Sequence, residues 1–176
     1  MDFELTEEQL LVKHTAAAFA EKEVKPVAGR MDREAAYPGE LVRRLGEMGF
    51  LGICVPQVFG GSGMDLVSYV VALEEISKAW ASLAVIMSVQ NSLVCAPLLR
   101  FGSPAQQERY LASMASGEKL GCYALTEPGA GSDAGAIQTR APRSGNDYVL
   151  NGQKIFTTSG SRADLAIVYA VTDPAQ

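Results

Sequence analysis

Residues 121–133 read GCYALTEPGAGSD, and the pattern of the chain changes at this stretch. The apolar run 121–126 predicts a short strand, and the glycine-rich residues that follow predict an exposed loop. Before the stretch apolar residues recur at helical spacing, whereas after it they are grouped in short strand-like runs. Helices followed by strands predict an α+β fold, because a doubly wound sheet needs the two to alternate.

Residues 1–118 are predicted to form an all-α N-terminal domain. Capping boxes that begin at Thr6 and Ser103 mark two helix starts. The first helix is expected to end before Pro26, because proline lacks the N–H that a helix interior needs. Its buried face is predicted to carry four residues at helical spacing, Leu11, Thr15, Ala18 and Phe19.

Two more helices are predicted in the middle of this domain. One follows Pro38 and is expected to stop at Gly49. The other covers about residues 65–80, and its apolar stripe is Leu66, Tyr69, Leu73 and Ile76.

The segment 80–99 contains no charged residue and is long enough to be tested as a membrane span. Gln90, Asn91 and Ser92 lie at its centre, where hydrocarbon would leave their polar groups without partners. The segment is therefore predicted to be the central helix of a water-soluble bundle, and no membrane partner is expected.

Residues 119–176 are predicted to form an incomplete antiparallel β domain. The run 148–150, the dipeptide Asn151-Gly152 and the run 153–156 together indicate a two-residue hairpin. The apolar run 165–171 predicts a buried strand. So few strands would leave open edges, so helices, another chain or further sequence must cover them.

Composition excludes several classes of protein. The 176 residues include 15 basic and 20 acidic side chains, a formal charge of −5, and no basic cluster, which argues against a nucleic-acid partner. Three separated cysteines and the single His14 predict neither a disulfide framework nor a metal site, and buried reduced thiols are expected. Residues 1–4 lack the basic start of a signal peptide, which predicts a cytoplasmic protein, or a matrix protein if processed from a mitochondrial precursor.

The glycine-rich loop formally matches a dinucleotide-binding fingerprint at Gly129, Gly131 and Ala134. No helix is predicted after it, so a Rossmann site is rejected. Two interpretations stay open from the residues alone. The loop either brings backbone N–H groups close to a flat polar ring or a phosphate, or it is a turn without a ligand.

Residues 124–136, ALTEPGAGSDAGA, resemble the signature of the acyl-CoA dehydrogenase family. Residues 151–160, NGQKIFTTSG, are similar to the second flavin-contacting segment of that family, and 56–61 and 101–103 are similar to its linker motifs. The resemblance covers essentially the whole chain. It implies an FAD-dependent oxidoreductase of fatty acid β-oxidation, a homo-oligomer that passes electrons to an electron-transfer flavoprotein.

The resemblance also implies roles for particular residues. The residues implied to bind FAD are Tyr123, Leu125, Thr126, Gly131, Ser132, Phe156, Thr157 and Thr158. Ser132 would also meet the CoA part of the thioester, and Thr158 would bond near flavin N5. The family usually has tryptophan where this chain has Phe156, so ring stacking is expected to persist with altered packing.

The segment 85–93 looks most like the short-chain, butyryl-type branch of the family. Ile86, Val89 and Leu93 share one helix face, which either borders the acyl cavity or packs in the core.

Family members remove an α-proton with a glutamate while the β-hydride moves to flavin N5. That base belongs to a C-terminal helical domain that is absent from residues 1–176, and Glu127 is not proposed in its place. The chain is thus expected to supply part of a site that dehydrogenates a short-chain acyl-CoA, with no catalytic base of its own. The alternatives are a catalytically silent, truncated homologue that serves as a binding module, or a relative of the flavin monooxygenases and nitroalkane oxidases.

Overall fold

The computed structural model describes residues 4–173. Residues 1–3, on which the expectation about a leader mostly rests, and residues 174–176 lie outside this range. The chain divides between Leu120 and Gly121 into two compact units, which are described separately below. We call residues 4–120 the helical unit and residues 121–173 the β unit.

The helical unit contains seven α-helical segments within its described residues. They are α1 (Glu7–Phe19), α2 (Lys25–Arg33), α3 (Gly39–Glu47), α4 (Leu66–Ala79), α5 (Ala81–Ser88), α6 (Ala96–Phe101) and α7 (Pro104–Ala115). The two predicted capping boxes are confirmed: the hydroxyls of Thr6 and Ser103 accept from the N–H groups of Gln9 and Gln106 at 3.2 and 3.3 Å. Gly49, the predicted end of α3, has a left-handed φ of 75°.

The prediction that the first helix ends before Pro26 is wrong. A π-helical turn, Ala20–Val24, joins α1 to α2, and Pro26 lies in the first turn of α2. A second π-helical stretch, Val89–Cys95, joins α5 to α6 just before Pro97. The wider turn accommodates the residue that cannot donate a hydrogen bond, so each helix continues through its proline.

The predicted buried face of α1 is also mostly wrong. Leu11, Thr15 and Ala18 are exposed, and the buried residues are Gln9, Val12, Ala16 and Phe19. Both sets have helical spacing, and the packing of α1 against α4 selects the second. On α4, Tyr69 and Ile76 are buried as predicted, whereas Leu66 is exposed.

The helical run Ala81–Phe101 is central to the helical unit, as predicted. Its length and mean hydropathy of 1.6 would suit a membrane span, but half of its most apolar window is buried within the structure. Gln90 and Asn91 are buried and hydrogen-bonded: the Gln90 amide donates to Met114 O at 2.8 Å, and the Asn91 amide donates to Phe50 O at 2.8 Å. These bonds satisfy polar groups inside a protein core.

The β unit contains four short strands within its described residues. They are β1 (Gly121–Ala124), β2 (Arg143–Ser144), β3 (Asp147–Tyr148) and β4 (Leu165–Val168). β1 pairs with β4 in parallel, with Gly121 opposite Leu165, and β2 pairs with β3 in antiparallel orientation. The α+β class with a partial β region is confirmed. The prediction of an antiparallel β domain is wrong for the longer strand pair, which is parallel. The residues between β1 and β4 return the chain to the end of the sheet at which β1 begins, so both strands run in the same direction.

The hairpin predicted around Asn151-Gly152 does not form. Asn151 pairs with Arg140, and Ile155 N–H donates to Thr126 O at 2.9 Å, so the two expected strands pair elsewhere. The hairpin of this unit turns instead at Gly145-Asn146, where Gly145 has a φ of 64°. Gly-Asn is also a hairpin dipeptide, and the tertiary contacts decide between the two candidates.

No cluster of His, Cys, Asp and Glu in residues 4–173 could hold a metal ion. The three cysteines carry no disulfide, and Cys95 and Cys122 are buried as expected. Cys54 is exposed, contrary to the expectation of buried thiols, since it lies in the loop between α3 and α4.

Candidate functional site

The two motif segments of the sequence meet in the β unit. Thr126 O accepts from Ile155 N–H at 2.9 Å, immediately after β1 ends. The Lys154 ammonium donates to Leu125 O at 2.9 Å and to the Glu127 carboxylate at 2.7 Å. One backbone bond and one buried cation therefore join the loop after β1 to residues nearly thirty positions away.

Glu127 is the buried anchor of this junction, with 7% of its side chain exposed. Its carboxylate also accepts from the backbone N–H groups of Gln138 at 2.6 Å and Thr139 at 2.9 Å. The hydrogen bond from Lys154, followed by those from Thr139 and Gln138, lowers the pKa of Glu127 to about 2. A carboxylate held so firmly in its ionised form is a poor proton acceptor, which agrees with leaving it out of the catalytic residues.

The depressed pKa of Glu127 predicts a specific acid sensitivity. Since its folded-state pKa of about 2 lies below the ordinary 4.5, its contribution to stability is complete above about pH 4.5. That contribution should be lost progressively as the pH falls from 4.5 to about 2. Urea unfolding followed through amide resonances of the β unit, at pH values across this window, measures the loss. E127Q should lack this part of the pH dependence, and an equally steep loss in E127Q would contradict the assignment.

The glycine-rich loop lies open on the surface of the β unit. Residues 131–136 are exposed, and a short 3-10 turn, Ala134–Ala136, stands where a Rossmann fold would need a helix. A Cβ atom added at Gly129 or Gly131 would meet nothing within 4 Å, and neither residue has a left-handed φ. Within the described chain these two glycines are not required by the fold, which suits a loop that a ligand approaches closely.

Phe156 is the most exposed large apolar side chain of the structure, at 88%. It also has a left-handed φ of 56°, an uncommon and strained conformation for an aromatic residue. Thr157 and Thr158 follow it and are half-buried, and Ser159 has a φ of 60°. An exposed aromatic ring on a strained backbone, followed by hydroxyls, is an arrangement found where a ligand or partner supplies the missing contacts.

Tyr123, Leu125 and Thr126 are all half-buried at the end of β1. The Tyr123 ring lies against Tyr169, with ring centroids 5.0 Å apart. Burial, together with the neighbouring Tyr169, raises the pKa of Tyr123 to about 12. This phenol stays neutral at physiological pH and can pack against a ring or donate a hydrogen bond.

Ile86, Val89 and Leu93, assigned by resemblance to the acyl cavity, belong to the helical unit. Ile86 and Val89 are each 8% exposed, and Leu93 is half-buried. Ile86 belongs to the hydrophobic core of the helical unit, and the role of all three residues toward a substrate stays a prediction.

The sequence interpretation missed Lys154 as a site residue. Its signal was that Lys154 is the single charged residue in the segment 151–160, which had already been singled out, while Glu127 is one of two charged residues in the other motif. Burial of both charges needs a partner, so two such residues in neighbouring segments indicate an ion pair.

The residues gathered here suit a flat, polar aromatic cofactor. They provide exposed loop glycines, an unstacked Phe156 and the hydroxyls of Thr126, Thr157 and Thr158 on adjoining segments. Apolar contact on a ring face with polar donors at its edge is the recognition that a flavin requires.

Comparison with protein families agrees with this geometry. The family model described as "Acyl-CoA dehydrogenase, N-terminal domain" matches residues 6–118, and that of the "middle domain" matches residues 122–176. The chain belongs to the acyl-CoA dehydrogenase family, as its motifs indicated.

Curated relatives include short-chain specific enzymes. The chain is 46% identical over 170 residues to the mitochondrial short-chain specific acyl-CoA dehydrogenase of Mus musculus, covering 97% of this chain and 41% of the relative. It is 45% identical over 173 residues to the short-chain specific acyl-CoA dehydrogenase of Clostridium acetobutylicum, covering 98% and 46%. The chain thus spans less than half the length of these relatives.

Solved structures also match nearly all of this chain and less than half of their own length. Butyryl-CoA dehydrogenase from Megasphaera elsdenii matches with a TM-score of 0.95 and 40% identity, covering 100% of this chain and 47% of that one. A chain from a structure of the electron transferring flavoprotein of Acidaminococcus fermentans matches with a TM-score of 0.96 and 44% identity, covering 100% and 46%. A glutaryl-CoA dehydrogenase from Mycobacterium smegmatis in complex with FADH2 matches at 0.92 and 36%, covering 96% and 44%.

Proposed function

We propose that this chain forms the N-terminal and middle parts of an FAD-dependent dehydrogenase that acts on a short-chain acyl-CoA. The observation that carries the proposal is the junction of the two motif segments, made by Lys154, Glu127 and the Thr126–Ile155 backbone bond. It joins the two segments on which the family resemblance places most of the flavin residues. The short-chain assignment is supported by the relatives from Mus musculus and Clostridium acetobutylicum.

The proposed cofactor contacts fall into three groups. Tyr123, Leu125 and Thr126 would hold one edge of the flavin, and Phe156, Thr157 and Thr158 would flank its ring; Gly131 and Ser132 would lie along the rest of FAD. The bound flavin would supply the hydride acceptor for the β-hydrogen of the thioester. The chain's part is to orient the ring and to present hydrogen-bond donors at its edge, where charge develops on reduction.

Substrate contacts would come from Ser132 toward the CoA portion and from Ile86, Val89 and Leu93 toward the acyl chain. No carboxylate of the described chain is proposed as the base for the α-proton. Glu127, the carboxylate within the motif, has its oxygens occupied by three donors. A base from sequence outside these residues completes the reaction in this proposal. An electron-transfer flavoprotein as acceptor, a homo-oligomeric state and a cytoplasmic location belong to the same proposal.

The test begins with the coding sequence beyond codon 176, expressed together with residues 1–176 if the frame continues. The protein is loaded with FAD and titrated anaerobically with butyryl-CoA while the visible flavin absorbance is followed. Bleaching supports the proposal. A yellow protein that ignores butyryl-CoA but is reduced by a nitroalkane would move it to the nitroalkane-oxidase type, and a protein that gains no flavin would favour a silent binding module.

Gly131→Ala separates folding from cofactor binding. Because an added Cβ would meet open space in this structure, the variant should keep its stability to within about 0.5 kcal/mol. It should nevertheless bind FAD roughly tenfold more weakly, since the methyl group would occupy the approach to the loop. Thermal unfolding without FAD and equilibrium dialysis with FAD measure the two effects, and unchanged FAD affinity would argue against contact at this loop.

A further inference from the structure

Lys154 contacts the residue before Thr126 and the residue after it. Its side chain is 11% exposed, and its ammonium donates to Leu125 O at 2.9 Å and to Glu127 Oε1 at 2.7 Å. The ion pair accounts for the second contact. The contact with Leu125 O needs another explanation, because a backbone carbonyl can be satisfied by an ordinary N–H donor and does not require a charged one.

The contact with Leu125 O sets the direction of the next N–H. In a trans peptide the C=O and N–H bonds point in opposite directions, so the Thr126 N–H points away from Lys154. The other peptide of Thr126 is held by the bond from Ile155 N–H to Thr126 O at 2.9 Å. Among residues 4–173, Thr126 N–H has no acceptor within hydrogen-bond distance, although the residue is half-buried.

We propose that Lys154 is a positioning residue that orients and polarises the Leu125–Thr126 peptide, making Thr126 N–H a strengthened donor toward an electron-rich edge of the flavin. A hydrogen bond accepted by the carbonyl increases the donor strength of the N–H in the same peptide. A donor held in place before binding stabilises the reduced ring more than the oxidised one, because the reduced ring is richer in electrons. This inference rests on the proposed function.

The first measurement needs no flavin and uses the 176-residue chain. In K154M the positive charge is removed at similar side-chain length, and the Thr126 amide nitrogen resonance should move upfield as the peptide loses polarisation. K154R should restore most of the wild-type position. E127Q is the matched control, because it removes the carboxylate charge and retains both groups of the Lys154–Leu125 hydrogen bond.

The second measurement compares the dissociation constants of oxidised and reduced FAD. In K154M the preference for reduced over oxidised FAD should fall by roughly tenfold, the effect of losing a hydrogen bond strengthened by charge. E127Q should change this ratio by less than about twofold, and K154R should recover part of it. Should K154M fail to fold, K154M combined with E127Q leaves no buried charge unpaired and is compared with E127Q alone.

Two results would overturn the proposal. One is an unchanged Thr126 amide resonance in K154M or in the double variant. The other is a change in the Thr126 amide resonance and in the FAD preference of E127Q that equals the change in K154M. Such a result would show that the Lys154–Glu127 ion pair, and not the hydrogen bond to Leu125 O, is responsible. Failure of the wild-type chain to bind FAD would count against the proposed function, and the amide resonance would still decide the role of Lys154.

Discussion

Asn91→Leu should destabilise the helical unit by about 3–6 kcal/mol, because three buried backbone groups lose their partner at once. The Asn91 side chain accepts from Ile53 N–H at 3.0 Å and donates to Phe50 O at 2.8 Å and Met87 O at 2.9 Å. It thereby joins the loop after α3 to the central helical run. Leucine has a similar volume and could satisfy none of these groups.

Urea unfolding followed by the fluorescence of Trp80, the single tryptophan, measures this loss. Ser92→Ala is the matched control one residue away. Its hydroxyl donates to Ser88 O at 2.7 Å in an exposed position, so the change should stay within about 0.5 kcal/mol. Equal unfolding midpoints for the two variants would show that the Asn91 contacts contribute no more than a surface hydrogen bond.

Gly152→Ala should destabilise the β unit by about 2–4 kcal/mol, through steric overlap added to backbone strain. Gly152 has a φ of 155°, and a Cβ there would lie 2.7 Å from both Cα and Cβ of Thr139. Thr139 has little room to move, because its N–H is bound to Glu127 at 2.9 Å and its carbonyl to Val171 N–H at 2.8 Å. The strain therefore falls on the segment that carries Phe156, Thr157 and Thr158, the residues proposed above to flank the flavin.

Gly145→Ala is the control for Gly152→Ala. Gly145 has a left-handed φ of 64° with open space around it, so alanine there should cost only about 1 kcal/mol, the conformational part of the effect. Amide exchange of the β unit measures both variants. If the two variants lose the same stability, the added Cβ at position 152 does not clash with Thr139, and steric overlap does not explain the effect.

The sequence interpretation succeeded where a structure depends on residues close in the chain. The capping boxes at Thr6 and Ser103 are built within four residues, and the left-handed Gly49 terminates its helix by its own conformation. Recognition of the family rests on the same kind of information, because residues 124–136 and 151–160 are continuous motifs. Local hydrogen bonds and conformational preferences leave few alternatives at such places.

The interpretation failed where two local solutions competed. The helix through Pro26 could end or widen by a π-helical turn, and α1 could bury either of two faces. Asn151-Gly152 and Gly145-Asn146 were both credible hairpin turns. For the buried face of α1 and for the hairpin, a contact far along the chain, which periodicity does not describe, selects the outcome.

Sequence alone therefore determined the order of helices and strands, the ends of several helices and the family to which the motifs belong. Tertiary structure alone decided that Lys154 reaches Leu125 O and Glu127, residues 29 and 27 positions away. The physical reason is that a buried charge must find its partner in space, and nothing in the spacing of two motifs states which groups will meet when the chain folds.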